Sequence, residues 1–423
     1  MIMKPTGTMC GLVVAAVAGL FGAGCGDGGS KPRVDGGDGS VRDVAAESGS
    51  GGESGGSGGG GSGGNGGRDG GVGGGGSGGS GGRDGGSGGG GIGGGMDGGI
   101  GGFGGFYTCG GSDGGTDGGD DAGSGGVAGP SCAGMAATCG ACGNEDCCAS
   151  PAVPGGSYNR YNPDKQAFPA TVSTFRLDKF EITVGRFRAF VEAGKGTNVS
   201  PPAAGAGAHP LIAGTGWNSA WNPELATNTV ALKAALKCDA KYQTWTDAPA
   251  GNENRPMNCI TWYDTFAFCA WDGGRVPTEA EWGYAAGGGS EQRYYPWGGS
   301  RSLDPSRGSY RIDTGYCIGD GVYGCELTDV IFVGTRPAGN SKWGHADLFG
   351  NMNEWNLDVY RLPPRLQSCT DCADMDSSSL ATARVDRGGA FYMVAYSLDS
   401  SRGGEGARLR DRGFGGRCAR NAP

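Results

Sequence analysis

Two stretches of helical apolar periodicity lie in the second half of the chain. The first follows Thr261 and the second follows Thr278, and each places its apolar residues on one face of a helix. Asp264 and Glu281 stand three residues after the two threonines, which is the capping-box pattern of a helix N-terminus. Gly273-Gly274 ends the first helix. The apolar positions are Trp262, Phe266, Ala267, Ala270 and Trp271 in the first helix, and Trp282, Ala285 and Ala286 in the second.

Upstream, the pattern predicts a short strand within 175–180 and a further helix capped by Thr183. A Pro-, Gly- and Asn-rich region then predicts long loops that contain Trp217 and Trp221. These two tryptophans either pack in an irregular core, which the pattern favours, or form a stacking platform for sugar or peptide. After Trp297, short β segments separated by glycines predominate, without a βαβ rhythm.

Four motifs occur in a recognisable order. They are LDKFEITVGRFRAFV (177–191), WYDTFAFCAWDGGRVPTEAEW followed by YPWG (262–298), GHADLFGNMNEW (344–355) and RVDRGG…GRCA (384–419). Together they resemble the formylglycine-generating enzyme, or sulfatase-modifying factor, family, from near Pro151 to the C-terminus. The resemblance implies an α+β fold, a variant of the C-type lectin fold with little regular secondary structure.

The chain before this domain has a different composition. The whole chain has 97 glycines, and most of them lie before residue 130. Residues 26–129 form a Gly/Ser/Asp-rich segment with too little apolar surface to offset the entropy of ordering. As a flexible coil of ~100 residues it would reach roughly 50–60 Å, which suits a spacer. A Gly-rich assembly or cell-wall role is the alternative. We therefore predict four parts: 1–25, 26–129, 130–150 and 151–423.

Residues 1–25 are typical of a bacterial signal peptide. A short basic start precedes an apolar stretch and then Gly22-Ala23-Gly24-Cys25, which resembles a lipobox in which glycine replaces the usual leucine. We predict that Cys25 is lipidated and anchors the protein in the cell envelope, periplasmic or surface-exposed; simple secretion is the alternative. A net charge of −9 and a pI near 4.9 argue against binding to nucleic acid.

Sixteen cysteines in an exported chain predict disulfides. Five of them fall within 130–150, where a small disulfide knot is favoured over a zinc site. Proximity suggests three pairs, Cys238–Cys259, Cys317–Cys325 and Cys369–Cys372. The family resemblance implies a fourth, Cys269–Cys418, between the central helix and the C-terminal strand. The partners of Cys109 and of the knot cysteines stay open.

The segment 347–354 is the candidate metal site. It offers two carboxylates and several carbonyls in a glycine-bent turn, the hard oxygen ligands that suit Ca²⁺. The resemblance implies a structural Ca²⁺ held by the side chains of Asp347 and Glu354 and the carbonyls of Gly350 and Met352. A solvated turn is the alternative. Because His209 and His345 are the only histidines, histidine metal sites and Ser-His-Asp catalysis are nearly excluded.

Enzymes of the resembled family hold Cu(I) with two thiolates five residues apart, shortly after the RGG motif. Counting from Arg387, these positions fall on Leu398 and Gly403, neither of which can bind a soft metal. The acidic pair Glu279 and Glu281 suggests general acid–base catalysis or, as we favour, a structural role, with Glu281 in the capping box and Glu279 in the positively polarised first helical turn. The Cys369–Cys372 pair is interpreted as a closed surface disulfide rather than as substitute copper ligands.

These patterns predict an envelope lipoprotein whose family domain is a non-catalytic binding or scaffold module, presenting protein, peptide or glycan to a cleft lined by variable loops. The alternative is a formylglycine-generating oxidase that acts on a cysteine of an exported sulfatase. A third hypothesis is a structural spacer without a saturable ligand. On the leading hypothesis the domain binds structural Ca²⁺ and no copper.

Overall fold

The computed structural model describes residues 129–160, 168–298, 303–312, 315–361, 368–375, 383–394 and 402–422. All of them belong to one compact unit, Gly93–Pro423. The predicted signal peptide, lipidated Cys25 and nearly all of the glycine-rich segment lie outside these residues, as does Leu398. Among these residues, none of the helices combines the length and the apolar composition of a membrane span.

Four α-helices form in the described residues, and side-chain caps begin each of them. They are α1 (Val184–Glu192), α2 (Thr229–Ala235), α3 (Trp262–Trp271) and α4 (Glu279–Ala286). Thr261 and Thr278 form the two predicted capping boxes, in which the threonine hydroxyl and the acidic side chain each accept a backbone N–H. Gly273 follows α3 with a φ of +75°, in the left-handed region that favours glycine. The predicted start and end of α3 and the predicted start of α4 are confirmed.

The strands are short. They are β1 (Ala152–Val153), β2 (Gly156–Arg160), β3 (Phe168–Val172), β4 (Phe175–Leu177), β5 (Arg311–Ile312), β6 (Tyr316–Cys317), β7 (Asn353–Val359), β8 (Cys369–Thr370), β9 (Ala383–Arg387), β10 (Arg402–Gly406), β11 (Phe414–Gly415) and β12 (Ala419–Asn421). They form small sheets in the orders β1-β4-β12, β10-β9-β7-β11, β2-β3-β8 and β5-β6. Long loops connect them. The predicted α+β class with low regular secondary structure is confirmed.

The two ends of the domain are joined through these sheets. Strand β12 pairs antiparallel with β4, and β11 pairs parallel with β7. The disulfide Cys269–Cys418 adds a covalent link between α3 and the segment before β12, across a sequence separation of 149 residues. The first and last strands of the domain are therefore held in one sheet.

The main core is aromatic and lies between α1, α3 and the loop that follows α1. Trp217 and Trp221 pack edge to face on each other and on Phe266, with ring centroids 5.5 to 5.6 Å apart. Trp217 is 2% exposed and Trp221 is 8% exposed. Both side chains are therefore core residues, and the alternative of a stacking platform is wrong.

The cysteine-rich segment 130–150 packs against the rest of the domain. Its disulfides are Cys132–Cys148 and Cys139–Cys147. Cys139 and Cys147 share a buried apolar cluster with Phe180, Val333 and Ala346. The backbone of Gly140 also donates to the carbonyl of Val333 at 3.2 Å. The segment 130–150 and the domain that follows it therefore share buried apolar and backbone contacts.

A ring of buried charges connects this segment to both ends of the domain. The guanidinium of Arg186 bonds Asp178 at 2.9 Å and Asp272 at 2.6 Å, and the guanidinium of Arg420 bonds the same two carboxylates at 3.0 and 2.7 Å. Ser131 donates its backbone N–H to Asp272 at 2.9 Å. Because two arginines alternate with two aspartates, each buried charge has two opposite neighbours.

Candidate functional site

The predicted calcium segment is a tight turn that leads into β7. Asp347, Gly350 and Asn351 all have positive φ, at 56°, 86° and 63°. A Cβ at Gly350 would lie 2.2 Å from the carbonyl oxygen of Ser309, so only glycine fits there. The turn brings Asp347 and Glu354, which are 5% and 0% exposed, into the interior of the domain.

Glu354 is held by two neighbours. Arg417 forms a bidentate ion pair with it, with both N–O distances at 2.7 Å, and the indole N–H of Trp282 donates at 2.8 Å. The guanidinium of Arg417 also donates to the backbone carbonyls of Asp178, Lys179 and Ala346. Arg417 therefore fixes the position of Glu354 against the body of the domain.

A third buried carboxylate, Glu181, lies beside the same turn. It accepts from the side chain of Asn351 at 2.7 Å and from the backbone N–H of Met352 at 3.1 Å. Burial, together with the charges of Asp347 and Glu354, raises the pKa of Glu181 well above its usual value. Burial likewise raises the pKa of Asp347 to about 6. Nothing in the sequence pattern marked Glu181, because it lies far from the turn along the chain.

Three buried carboxyl groups lie at this turn beside one guanidinium. They are Glu181, Asp347 and Glu354, and only Glu354 forms an ion pair with Arg417, while burial and the neighbouring carboxylates raise the pKa values of Glu181 and Asp347. The described residues contain no group of three or more His, Cys, Asp or Glu side chains able to hold a metal ion. A cation at this turn would therefore need backbone carbonyls among its ligands, as calcium sites commonly do.

Glu281, in the first turn of α4, forms structural contacts with three other residues. Glu281 accepts from both terminal nitrogens of Arg275 at 2.6 and 2.5 Å and from the backbone of Thr278 at 3.0 Å. His209, in the long loop after α1, places its Nε2 3.3 Å from Glu281, while its Nδ1 accepts from the backbone of Leu211. One of the two histidines thus fastens a loop to α4, a contact that sequence reasoning missed.

The position matched to the second copper thiolate lies on β10. Gly403 pairs across the sheet with Asp386 of β9. A Cβ at residue 403 would lie 2.4 Å from Oδ1 of Asp386, so the carboxylate occupies the space of a side chain. Burial and the charge of Glu405 raise the pKa of Asp386 to about 7. Nearby, Arg402 forms a bidentate ion pair with Glu279 at 2.6 and 3.0 Å. The charged side chains of Asp386, Arg402 and Glu279 therefore lie in the described surroundings of Gly403.

Every cysteine in the described residues is disulfide-bonded. The pairs include all four that the sequence suggested: Cys238–Cys259, Cys269–Cys418, Cys317–Cys325 and Cys369–Cys372. Cys369 and Cys372 flank Asp371, whose carboxylate accepts from the backbone and hydroxyl of Ser173. These contacts and the strand pair β3-β8 fasten the short loop to the domain. No thiolate pair is thereby left in the described part of the chain.

A groove of about 200 Å³ lies between α1, α3 and the loop after α1. Its walls are mainly apolar, with Lys195 and Ser200 at one side. Small-molecule pockets usually measure roughly 300–1,000 Å³, so the groove is smaller than a typical pocket of that kind. Its lining residues belong to neither the turn 347–354 nor the β9-β10 pair: Phe190, Lys195, Gly196, Ser200, Pro201, Pro202, Ala203, Ala206, Ala267, Ala270 and Trp271.

These features define a disulfide-rich α+β domain with short sheets, braced loops and a buried acidic turn. Residues 142–422 match the family model described as a sulfatase-modifying factor enzyme 1-like domain. This match covers more than half of the chain, and the chain therefore belongs to that family. Its fold is the C-type-lectin-like variant that the family adopts.

Similar proteins include relatives named as enzymes and a relative named inactive. The chain is 31% identical over 266 residues to the formylglycine-generating enzyme of Thermomonospora curvata, a match that covers 57% of this chain and 81% of the relative. It is 28% identical over 205 residues to the inactive C-alpha-formylglycine-generating enzyme 2 of Mus musculus, a match that covers 45% of this chain and 60% of that relative. Among solved structures, PvdO from Pseudomonas aeruginosa shares 19% identity over 64% of this chain and 93% of its own, with a TM-score of 0.43.

Proposed function

We propose that the protein is an envelope lipoprotein whose sulfatase-modifying-factor domain is a non-catalytic binding module. The signal-like start and Cys25 support export and anchoring, and the glycine-rich segment 26–129 supports a spacer role. The relative named inactive shows that the family includes members without the enzyme activity. The domain would be held away from the membrane to meet a protein, peptide or glycan partner.

The non-catalytic proposal rests on the cysteines: those that the structure describes are all in disulfides, and the segment that should hold the copper ligands contains none. No cysteine occurs in the sequence between Cys372 and Cys418, and both of these are in disulfides. Cu(I) is a soft ion that selects thiolate and thioether ligands. A disulfide sulfur has no thiolate charge to offer. The segment after the RGG motif, 390–417, therefore lacks the ligand pair that family enzymes use.

A turnover assay tests this proposal. The purified protein is incubated with Cu(I), O₂ and a peptide that contains Cys-x-Pro-x-Arg, and aldehyde is measured by hydrazide capture and mass. The formylglycine-generating enzyme of Thermomonospora curvata, treated identically, is the positive control. We expect aldehyde from the control only. Copper-dependent aldehyde from this chain would overturn the proposal and support the second candidate.

The second candidate is a formylglycine-generating oxidase that acts on a cysteine of an exported sulfatase. The observation in its favour is the 31% identity to a relative of that name, over 81% of the relative. To be active, this chain would need a reducible bridge to supply thiolates. Pretreatment with a thiol reductant followed by the same assay separates the two candidates, because only the oxidase would gain copper-dependent turnover.

The groove beside α3 supports a binding module over a plain spacer. Its apolar lining and small volume suit a side chain presented by a partner. Screening on peptide and glycan arrays tests this, with Ala270→Trp as the variant that would fill the groove. Saturable binding lost in the variant supports the module. The absence of any saturable ligand would support the spacer.

We also propose that the turn 347–354 binds a structural Ca²⁺ through the side chains of Asp347 and Glu354 and the carbonyls of Gly350 and Met352. Three buried carboxyl groups beside a single guanidinium support this proposal, because a bound cation would stabilise their charged forms. A ligand that binds only the folded state adds about 2.7 kcal/mol at a hundredfold excess over its Kd. Thermal unfolding should therefore shift upward with Ca²⁺ and not with Mg²⁺, and Asp347→Asn should remove the shift. Equal shifts in both proteins would contradict the site.

Anchoring is tested separately from binding. Mass analysis of the mature N-terminal peptide should show diacylglycerol on Cys25, and Cys25→Ser should move the protein from the membrane fraction to the soluble fraction. An unmodified N-terminus downstream of residue 25 would instead support simple secretion. Neither outcome affects the assays of copper, calcium or ligand binding.

A further inference from the structure

Lys195, at the rim of the groove between α1 and α3, carries a charge that no described carboxylate neutralises. Its ammonium donates to the hydroxyl of Ser200 at 3.2 Å, and no carboxylate of a described residue lies within ion-pair distance. Ser200 keeps its own hydroxyl proton to donate, and Trp271 adds an indole N–H to the lining. Four other described lysines each form an ion pair: Lys179, Lys237, Lys241 and Lys342. The polar side chains of the groove can all donate, which suits an anionic partner.

The ammonium of Lys195 is not needed to cap α1. The helix ends in a turn in which the backbone N–H of Lys195 donates to the carbonyl of Phe190 at 3.1 Å, and that of Gly194 donates to Val191 at 3.0 Å. Gly194 and Gly196 have φ angles of 69° and 75°, which glycine adopts without strain. Because backbone donors already satisfy these last carbonyls of the helix, the side chain of Lys195 is left for a contact at the groove.

The rest of the groove is apolar and rigid. Phe190 and Ala267 in its lining are buried core residues, and Pro201 and Pro202 have backbone φ angles fixed by their rings. A Cβ at Gly196 would lie 2.6 Å from the ring of Phe190, so glycine keeps this side of the groove open. A cavity of roughly 150 Å³ lined by leucine, isoleucine and phenylalanine binds benzene. The groove, at about 200 Å³, therefore has room for a branched aliphatic side chain.

We propose that the groove binds the C-terminal residue of a partner polypeptide, with an aliphatic side chain inside and the α-carboxylate at Lys195. In a C-terminal residue the carboxylate and the side chain share one Cα, so both fit a site of this size. An internal Asp or Glu would place its charge and the apolar side chain on different residues. Val199, next to Ser200, is 78% exposed and offers apolar surface to the preceding residue, which favours a polypeptide over a free aliphatic acid. This inference rests on the proposed binding module and names its partner.

Fluorescence anisotropy with the full chain measures the preference for a C-terminal residue. The probes are labelled Gly-Ser-Gly-Ser-Ala-Leu as the free acid, the same peptide as its C-terminal amide, and the free acid that ends in Gly instead of Leu. We expect saturable binding of the first probe and at least about tenfold weaker binding of the amide, which lacks the charge. The probe that ends in Gly should also be about tenfold weaker or more, because it leaves the groove empty. Equal affinities for acid and amide, or no saturable binding of any probe, would overturn the proposal.

Two variants assign the carboxylate and the side chain to the groove. Lys195→Gln should weaken binding of the acid to the level of the amide and leave the amide unchanged. Lys241→Gln, which removes a lysine from an exposed ion pair with Glu326, is the matched control and should change neither. Ala270→Trp should abolish binding of both probes, with circular dichroism to check its fold. Equal losses of acid and amide binding in Lys195→Gln, or the same loss in Lys241→Gln, would contradict the assignment.

Two comparisons separate this inference from its alternatives. N-acetyl-leucine has the same side chain and carboxylate without preceding residues, so it should displace the peptide only at concentrations at least about fivefold higher. Equal displacement would identify a free aliphatic acid as the ligand and overturn the polypeptide. A saturable ligand from the peptide and glycan arrays that still binds Lys195→Gln and Ala270→Trp would refute this site and leave the binding module standing. The absence of any saturable ligand would refute both.

Discussion

Replacing Glu281 by glutamine removes a charge from the centre of the domain. The carboxylate caps α4 through Thr278, pairs bidentately with Arg275 and bonds His209. Its side chain is 4% exposed, so solvent does little to screen these contacts. Glu281→Gln keeps the volume but leaves the Arg275 guanidinium buried without a counter-charge.

The contribution of the Glu281 charge to the free energy of folding follows from the pKa of this residue. Burial alone would raise it, but Arg275 and His209 hold the pKa at about 2, against the usual 4.5. One pKa unit is worth about 1.4 kcal/mol, so the charged form contributes about 3 kcal/mol to folding. Because the folded-state pKa is the lower one, this contribution is present above about pH 4.5 and is lost as the pH falls toward 2.

Urea unfolding with the disulfides intact tests both the size and the pH dependence. At pH 7 we expect Glu281→Gln to be less stable than wild type by about 3 kcal/mol. The gap should narrow as the pH falls below 4.5 and close near 2. Glu291→Gln, at an exposed ion pair with Arg293, is the control and should change little at any pH. A gap that is absent at pH 7, or unchanged at low pH, would refute the reasoning.

Three further variants test other parts of the fold. Asp272→Asn should cost about 3–5 kcal/mol in thermal unfolding, because two buried guanidinium groups lose their shared carboxylate; an unchanged Tm contradicts the charge ring. The double variant Cys269→Ala, Cys418→Ala opens a 149-residue separation and should cost roughly 5 kcal/mol in urea, and a loss near zero would contradict the bridge. Gly403→Ala should destabilise by about 1–3 kcal/mol, because its Cβ meets an aspartate carboxylate at 2.4 Å. Gly406→Ala in the same strand, where a Cβ meets nothing within 4 Å, should be neutral, and equal effects would refute the packing.

Local patterns predicted the helices well because the caps are local. Thr261 with Asp264, and Thr278 with Glu281, satisfy backbone donors within a few residues, so the sequence contains the whole interaction. The end of α3 at Gly273 follows from the same local logic. The pairing Cys269–Cys418 spans the domain, and only the family resemblance suggested it.

The long-range contacts could not be predicted from one sequence. Glu181 reaches the turn 347–354 from the loop before α1, and His209 reaches Glu281 from a loop with no periodicity. Arg417 belongs to the C-terminal motif, but nothing in the sequence predicted its ion pair with Glu354. Each contact depends on which segments the fold brings together. Residue spacing therefore predicted Asp347 and Glu354 as the carboxylates of the turn 347–354 and missed Glu181, which lies beside it.

The most direct test of the central claim is a Cu(I) affinity measurement. The oxidised, exported protein competes with a chromophoric Cu(I) chelator under anaerobic conditions, beside the Thermomonospora curvata relative. We expect the relative to withdraw one equivalent of copper and this chain to withdraw none, since its described cysteines are all in disulfides. Stoichiometric withdrawal of Cu(I) by this chain would contradict the account.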